Sequence, residues 1–193
     1  MSETAEFWKG DFGDQYILRN RYDWRERIPF WDYIIDKTGA RSVYEVGCNV
    51  GYNLSAIRYG NDHVQVAGED VNKSALNQAE AAGLNVLRTD GEAIHMAPYE
   101  LTFTSGVLIH IAPQDLKAFM QRIVDASCDY VLAVEYEDET EVEVEYRGHT
   151  GKLWRRPYGK LYQELGLELI ETGKLGEEDG FDRNGITYWL LRK

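Results

Sequence analysis

Val43-Tyr44-Glu45-Val46-Gly47-Cys48-Asn49-Val50-Gly51-Tyr52-Asn53-Leu54 decides the fold of this 193-residue chain. From Ser42 to Val46 the run is short, apolar and β-branched, the pattern of a buried strand. It breaks into a turn holding Gly47, Asn49 and Gly51, and an amphipathic helix follows through about Tyr59. Strand, glycine turn and helix in that order make a place where backbone approaches a ligand with no side chain in the way. N–H groups at the helix start add partial positive charge. A dinucleotide turn spaces its glycines G-x-G-x-x-G. Asn49 holds the middle position here and Tyr52 the third, so a nicotinamide oxidoreductase fits worst. An ordinary βα turn is the competing reading of the stretch taken alone.

Downstream, Val64 to Gly68 reads as a second strand ending at Glu69-Asp70. A carboxylate about 20 residues past such a turn is placed to accept bonds from both hydroxyls of a ribose; its competing role is to cap a helix from Asn72 to Ala82. Asn85 to Arg88 is a third strand, closed by Thr89-Asp90-Gly91-Glu92, and Tyr99 to Gly106 a fourth. Open α/β sheets bind ligands at the carboxyl ends of their strands, so Ser105 to His110 should line a pocket. His110 suits a general base at neutral pH, or else it closes the pocket wall or caps the next helix. That helix runs from Gln114 to Ala126 by its Leu116, Phe119, Met120 and Ile123 spacing, and a fifth strand, Asp129 to Val134, ends in Glu135-Tyr136.

Acid and valine then alternate from Glu137 to Tyr146, which predicts an exposed extended segment. Tyr146-Arg147-Gly148-His149 reads as a substrate loop. Lys152 to Leu165 suits a helix interrupted near Pro157. Leu167 to Gly173 and Gly185 to Leu191 are two closing strands, paired as an antiparallel hairpin across a short acidic loop. Upstream, Phe7 to Tyr16 combines aromatics with glycines, and Tyr16 to Arg21 forms a short helical segment. Pro29 opens a helix whose apolar face is Phe30, Tyr33, Ile34 and Ile35, and Gly39 ends it.

Composition sets the class. Hydrophobic content of 44% and charged content of 28% are those of a soluble globular chain with one core. The 33 acidic and 21 basic residues leave a formal charge of −12, a field that repels a phosphate backbone unless the cations cluster. Lys152-Leu153-Trp154-Arg155-Arg156 is the nearest thing to a cluster, so nucleic acid is disfavoured as a partner. No apolar run approaches the roughly 20 residues of a membrane span, and Met1 to Glu6 is too polar for a secretory signal. Cys48 and Cys128 are expected as buried thiols in a reducing cytoplasm. No metal site is expected.

An acidic residue two places before the first glycine, with another glycine four places after it, resembles motif I of the class I S-adenosylmethionine-dependent methyltransferases. Glu45, Gly47 and Gly51 match; Asn49 departs from the usual glycine, though asparagine visits left-handed backbone readily. The resemblance implies a Rossmann-like α/β sheet of seven strands, order 3-2-1-4-5-7-6, with helices on both faces and an N-terminal lid. It also implies the division of a single methyltransferase domain, 1–193: lid 1–38, cofactor core 39–136, substrate loop and C-terminal hairpin 137–193. S-adenosylmethionine would be the cofactor and S-adenosylhomocysteine the product. Glu45, Gly47, Asn49, Gly51 and Asn53 would cradle it, with Asp70 or Glu69 on the ribose and Asp90 and Gly91 at the adenine. Ser105, Gly106 and Leu108 would line its side. Trp8, Gly13, Tyr16, Arg19 and Asn20 would cover it, Arg19 pairing with the methionyl carboxylate.

A narrower group resembles the chain along nearly its whole length, the pseudaminic acid biosynthesis-associated methylases. The likeness rests on Phe7-Trp8-x-Gly10-x-Phe12-Gly13-Asp14-x-Tyr16 with Arg19-Asn20-Arg21, on Glu45-x-Gly47-x-Asn49-x-Gly51-x-Asn53, and on Gly106 to Ile111. Glu135-Tyr136, Val144 to His149 and Ile186 to Leu191 complete it. It implies a small polar acceptor such as a sugar or sugar nucleotide, methylated on oxygen or nitrogen in the cytoplasm. His110 would take the proton, with Glu135 and His149 beside it, and Tyr136, Tyr146 and Arg147 would hold the acceptor. Base-opening enzymes carry Asn/Asp-Pro-Pro-aromatic or Pro-Cys motifs, and neither is present. Two other functions compete: a tRNA or single-strand methyltransferase, and a non-catalytic cofactor-binding protein.

Overall fold

Periodicity carries directly into architecture in the computed structural model, which describes residues 3–90 and 98–193. Seven strands form one sheet: β1 (Ser42–Val46), β2 (Gln65–Asp70), β3 (Asn85–Arg88), β4 (Tyr99–Ser105), β5 (Ser127–Glu135), β8 (Glu168–Leu175) and β9 (Ile186–Arg192). Two short strands between them, β6 (Val142–Glu143) and β7 (Trp154–Arg155), pair only with each other. The large sheet runs β3-β2-β1-β4-β5-β9-β8, which is the expected 3-2-1-4-5-7-6 once that ribbon is left out of the count. β1 to β5 are parallel, and β9 enters antiparallel to both β5 and β8.

Helices cover both faces because the strands are apolar on both. On one side α3 (Ile28–Thr38), α4 (Tyr52–Gly60) and α5 (Lys73–Ala81) bury Trp31, Ile34, Leu54, Ile57 and Leu76 against Phe103 and Leu132. On the other, α6 (Pro113–Ala126) and α7 (Tyr158–Glu164) bury Met120, Ile123, Tyr158 and Tyr162 against Tyr44, Val131 and Trp189. Ile34, Leu54, Ile57 and Phe103 are fully out of water, each contributing about 1.5–3 kcal/mol. Local signals set the boundaries. Asn72 caps α5 by accepting from Ala75 N at 2.8 Å, and Gly39 closes α3 in the left-handed region. Among the described residues no helix is long and apolar enough to cross a membrane.

Three expectations need correction. The N-terminal segment is two helices, α1 (Glu3–Lys9) and α2 (Asp11–Arg19), so helix begins well before Tyr16 and ends before Arg21. Trp8, Phe12 and Tyr16 make a stripe at i, i+4, i+8, and Gly10 only separates the two pieces. The acid–valine alternation is extended and mostly exposed as expected, and it forms one arm of a hairpin, with Val144 N donating to Leu153 O at 2.9 Å. The expected helix from Lys152 therefore starts as strand and turns helical only at Tyr158, because Pro157 biases Arg156 toward extended backbone. Cys48 is buried as expected, but Cys128 is exposed near the start of β5; both are free thiols.

Candidate active site

Parallel register brings the tips of β1, β2, β4 and β5 to one edge of the sheet, where a cavity of about 1070 Å³ opens. Its floor is the turn read first. Gly47 has φ +76° and an added Cβ would lie 2.5 Å from Val107 Cγ2; Asn49 takes φ +50°, the left-handed backbone expected of it. Gly47 N and Cys48 N both donate to Glu69 O at 2.8 Å, which ties the turn to the tip of β2. Gly51 lies off the cavity wall. It packs on Leu84, whose Cδ1 would be 2.2 Å from an added Cβ.

Neighbouring residues of β2 face opposite sides of the sheet. Glu69 is buried, lines the cavity and accepts from Tyr44 OH at 2.9 Å. Asp70 accepts from Asn49 N and Asn72 N, each at 2.8 Å. Burial raises its carboxyl above the ordinary aspartate value, and the bonds from Asn72 and Asn49 pull it back. Between the two acids, Asp70 is the one whose carboxylate meets the turn.

Glu45 also departs from its ordinary chemistry. Its Oε1 accepts from Asn53 Nδ2 at 2.7 Å, while Oε2 is buried with no partner among the described residues. Burial pushes the carboxyl up to about 8, against the pull of Asn53 and Arg27. Arg27 Nη1 donates to Asn53 Oδ1 at 2.8 Å and Nε to Gly180 O at 2.9 Å, and the guanidinium lies 4.1 Å from the ring centroids of both Tyr22 and Phe181. Arg27, which the sequence reading did not single out, thus completes a chain Arg27–Asn53–Glu45 along the wall. Arg19 stands outside: it is exposed and lies over the Phe12 ring at 5.0 Å. Four arginines from Arg19 to Arg27 share one charge, and no periodicity distinguishes the inward one.

His110 lines the cavity at the end of a 3-10 turn, Leu108–His110. Its Nδ1 is 2.7 Å from Lys152 O, an acceptor only, so Nδ1 carries the proton and Nε2 keeps its lone pair. Burial pushes its pKa down to about 4, with the Lys152 carbonyl opposing, so the ring is neutral at pH 7. Trp8 and Tyr146 flank it, with ring centroids at 4.5 and 5.1 Å. Ser105 and Gly106 also line the wall, and a Cβ on Gly106 (φ +68°) would meet nothing within 4 Å. Leu108 faces the core instead.

Several other expected residues reach the wall: Trp8, Gly13, Tyr16 and Asn20 from the N-terminal helices, and Tyr136, Tyr146 and Arg147 from the far side. Burial pushes the Tyr16 hydroxyl up to about 12, so it is un-ionised. Tyr136 OH donates to Asp182 Oδ2 at 2.9 Å. Glu135 does not reach the wall. It is fully buried behind it, with Oε1 accepting from Val107 N and Leu108 N at 3.1 Å each. His149 is exposed off the wall and packs on Phe7 and Phe12 with centroids at 5.2 and 5.5 Å. Asp90 is exposed off the wall, where Thr89 lines it, and Gly91 lies outside the described residues. Arg155, Leu153 and Val144 were also missed; they occupy the cavity face of the hairpin.

No family model and no curated protein matches the sequence. Solved structures do match in fold. Over 98% of its length the chain superposes on magnesium protoporphyrin IX methyltransferase from Synechocystis PCC 6803 with bound S-adenosylhomocysteine, covering 97% of that chain at 12% identity and TM-score 0.72. It is similar over 98% of its length to 1,6-didemethyltoxoflavin-N1-methyltransferase from Burkholderia thailandensis, covering 86% of that chain at 13% identity and TM-score 0.72. Its whole length matches 61% of mitomycin 7-O-methyltransferase at 13% identity and TM-score 0.74. Identities this low speak to fold alone. The fold is that of the class I S-adenosylmethionine-dependent methyltransferases.

Proposed function

We propose that the protein transfers a methyl group from S-adenosylmethionine to an oxygen or nitrogen of a small polar acceptor, a sugar or sugar nucleotide by the narrower resemblance. One observation carries this reading: a single cavity joins the Glu45–Asn53–Arg27 chain and the Asp70 tip to the His110 ring. The residues fit the cofactor. Glu45 Oε2 is a buried acceptor without a donor, suited to the methionyl ammonium, and Arg27 offers a cation to the carboxylate. Asp70 keeps acceptor capacity for ribose hydroxyls, with Thr89 and Ser105 farther along the wall.

The bound cofactor supplies an electrophilic methyl on sulfonium sulfur. This chain's part is to hold the acceptor in line, exclude water and accept a proton. His110 Nε2 is the acceptor for that proton, and Trp8, Tyr136, Tyr146, Arg147 and Arg155 surround the incoming group. The N-terminal helices act as lid and residues 137–193 as acceptor side. Two unbridged cysteines suit the reducing cytoplasm, where we place the reaction. The nucleic-acid alternative weakens because its basic run is dispersed: Lys152 pairs with Glu3, and Arg156 is buried against Glu141.

Calorimetry with S-adenosylmethionine in buffers of differing ionisation enthalpy tests the cofactor site. Binding at pH 7 is expected to release a proton from Glu45, and Glu45→Gln should abolish the release; no binding at millimolar ligand rejects the reading. Labelled cofactor incubated in parallel with sugar nucleotides, extracted metabolites and RNA identifies the acceptor class. Label uptake by none of them, despite binding, would mark a non-catalytic binding protein. Turnover by His110→Ala near that of the parent would remove His110 as base.

A further inference from the structure

Two oppositely charged side chains that never touch the cavity converge on the turn that carries His110. Glu135 is 0% exposed at the tip of β5, and Arg156 is 1% exposed just after β7. The turn leaves β4 at Gly106, and no side-chain hydrogen bond from its own N-cap, Val107, satisfies its first N–H groups. Glu135 Oε1 does so, accepting from Val107 N and Leu108 N at 3.1 Å. On the same Leu108, Arg156 Nη1 donates to the carbonyl oxygen at 3.1 Å, while its Nε donates to Glu141 Oε2 at 2.7 Å. The peptide groups of Leu108 are thus held from both ends, two residues before His110. The residue four positions before Arg156, Lys152, supplies the carbonyl that holds His110 Nδ1, so the two ends of one short segment fix both turn and ring.

We infer that Glu135 and Arg156 are positioning residues, which together lock the Leu108–His110 turn and through it the place and tautomer of the imidazole. The inference rests on the proposed role of His110, but its geometry is independent of the acceptor. Both charges are desolvated, a costly arrangement that core packing alone would not need: a well-packed apolar pair of like volume is often as stable. What an apolar pair would not supply is an acceptor for two N–H groups and a donor for one carbonyl on the same turn.

The test uses full-length protein with 15N-labelled histidine, in which long-range 15N–1H spectra report each ring's tautomer and titration. Loss of a signal in His110→Gln assigns it, and exposed His63 serves as internal reference. In the parent, His110 should be one neutral Nδ1–H tautomer that titrates well below the ordinary histidine range. Glu135→Met keeps the length of the side chain but removes the acceptor, and Arg156→Met removes the guanidinium from the Leu108 carbonyl and from the half-exposed Glu141. Each should give mixed His110 tautomers, and Arg156→Met, which removes a cation, should also raise the His110 midpoint by about one pH unit. Arg156→Lys, which keeps a donor, should restore part of the parent signal. With an acceptor in hand, kcat should fall about tenfold or more while cofactor Kd stays within about twofold. Parent-like His110 signals in folded Glu135→Met and Arg156→Met overturn the inference. If those signals move but His110→Ala turns over normally, the clamp stands and the base assignment falls.

Discussion

Arg147 holds φ +52° and Gly148 φ +80° at the centre of a two-residue turn, closed by Tyr146 N to His149 O at 2.9 Å and His149 N to Tyr146 O at 3.0 Å. Positive φ at both central residues is what a type I′ turn requires, and Asn-Gly is its relaxed sequence. A left-handed arginine costs roughly 1–2 kcal/mol over a relaxed backbone. Arg147 lies on the cavity wall, so the strain sits where an acceptor would be gripped. Arg147→Asn is therefore expected to stabilise the unliganded protein by about 0.5–1 kcal/mol in urea unfolding. The same substitution should raise KM for the acceptor severalfold with little change in cofactor affinity. A variant both less stable and unaltered in KM would show that the side chain serves the fold instead.

Among the elements, the turns after β1 and β4 separate two reasons for a glycine. Gly106 and Gly51 both have positive φ, but only Gly106 faces open cavity; Gly51 packs on Leu84. Gly106→Ala should cost about 1–2 kcal/mol in backbone strain and weaken cofactor binding at least tenfold. Gly51→Ala should cost more stability, because Leu84 must also move, yet bind the cofactor within a few-fold of the parent if it folds. Thermal unfolding and calorimetry on the pair decide it; equal loss of binding would place Gly51 in the site after all. The sequence pattern made the strand–turn–helix legible because its apolar run and glycines are local. It also made Asn49, Asp70 and His110 legible as residues at or just past the ends of β1, β2 and β4. The hairpin was harder, since its partner arm lies ten residues away and Trp154-Arg155 looks helical in isolation. Glu135 and Arg156 were illegible as a pair for the same reason: 21 residues separate them, and only the fold brings both to Leu108.

At the scale of the whole molecule, buried ionisable groups set how stability follows pH. Burial raises Glu45 to about 8 and Glu135 to about 7 from an ordinary 4.5. Between pH 4.5 and those values the folded state binds more protons than the unfolded, so stability falls as pH rises through the window. His110, lowered to about 4 from 6.5, acts oppositely: the unfolded state binds the extra proton between those values, so stability rises with pH there and is lost as pH falls below 6.5. From pH 6 to 8 the histidine contribution is nearly complete while both carboxyls are ionising. The unliganded protein should therefore be less stable at pH 8 than at pH 6 by a few kcal/mol, on the order of 1.4 kcal/mol per unit for each group. The excess of 33 acidic over 21 basic residues pushes the same way. Urea midpoints across that range are the measurement, with Glu45→Gln and Glu135→Gln each flattening the slope. Saturating cofactor should flatten it too, since an ammonium beside Glu45 favours the ionised carboxylate. A profile rising from pH 6 to 8 in the unliganded parent would mean that these carboxyls are solvated, and that the Glu45 acceptor is not the dry, unpaired one on which the proposed ammonium site depends.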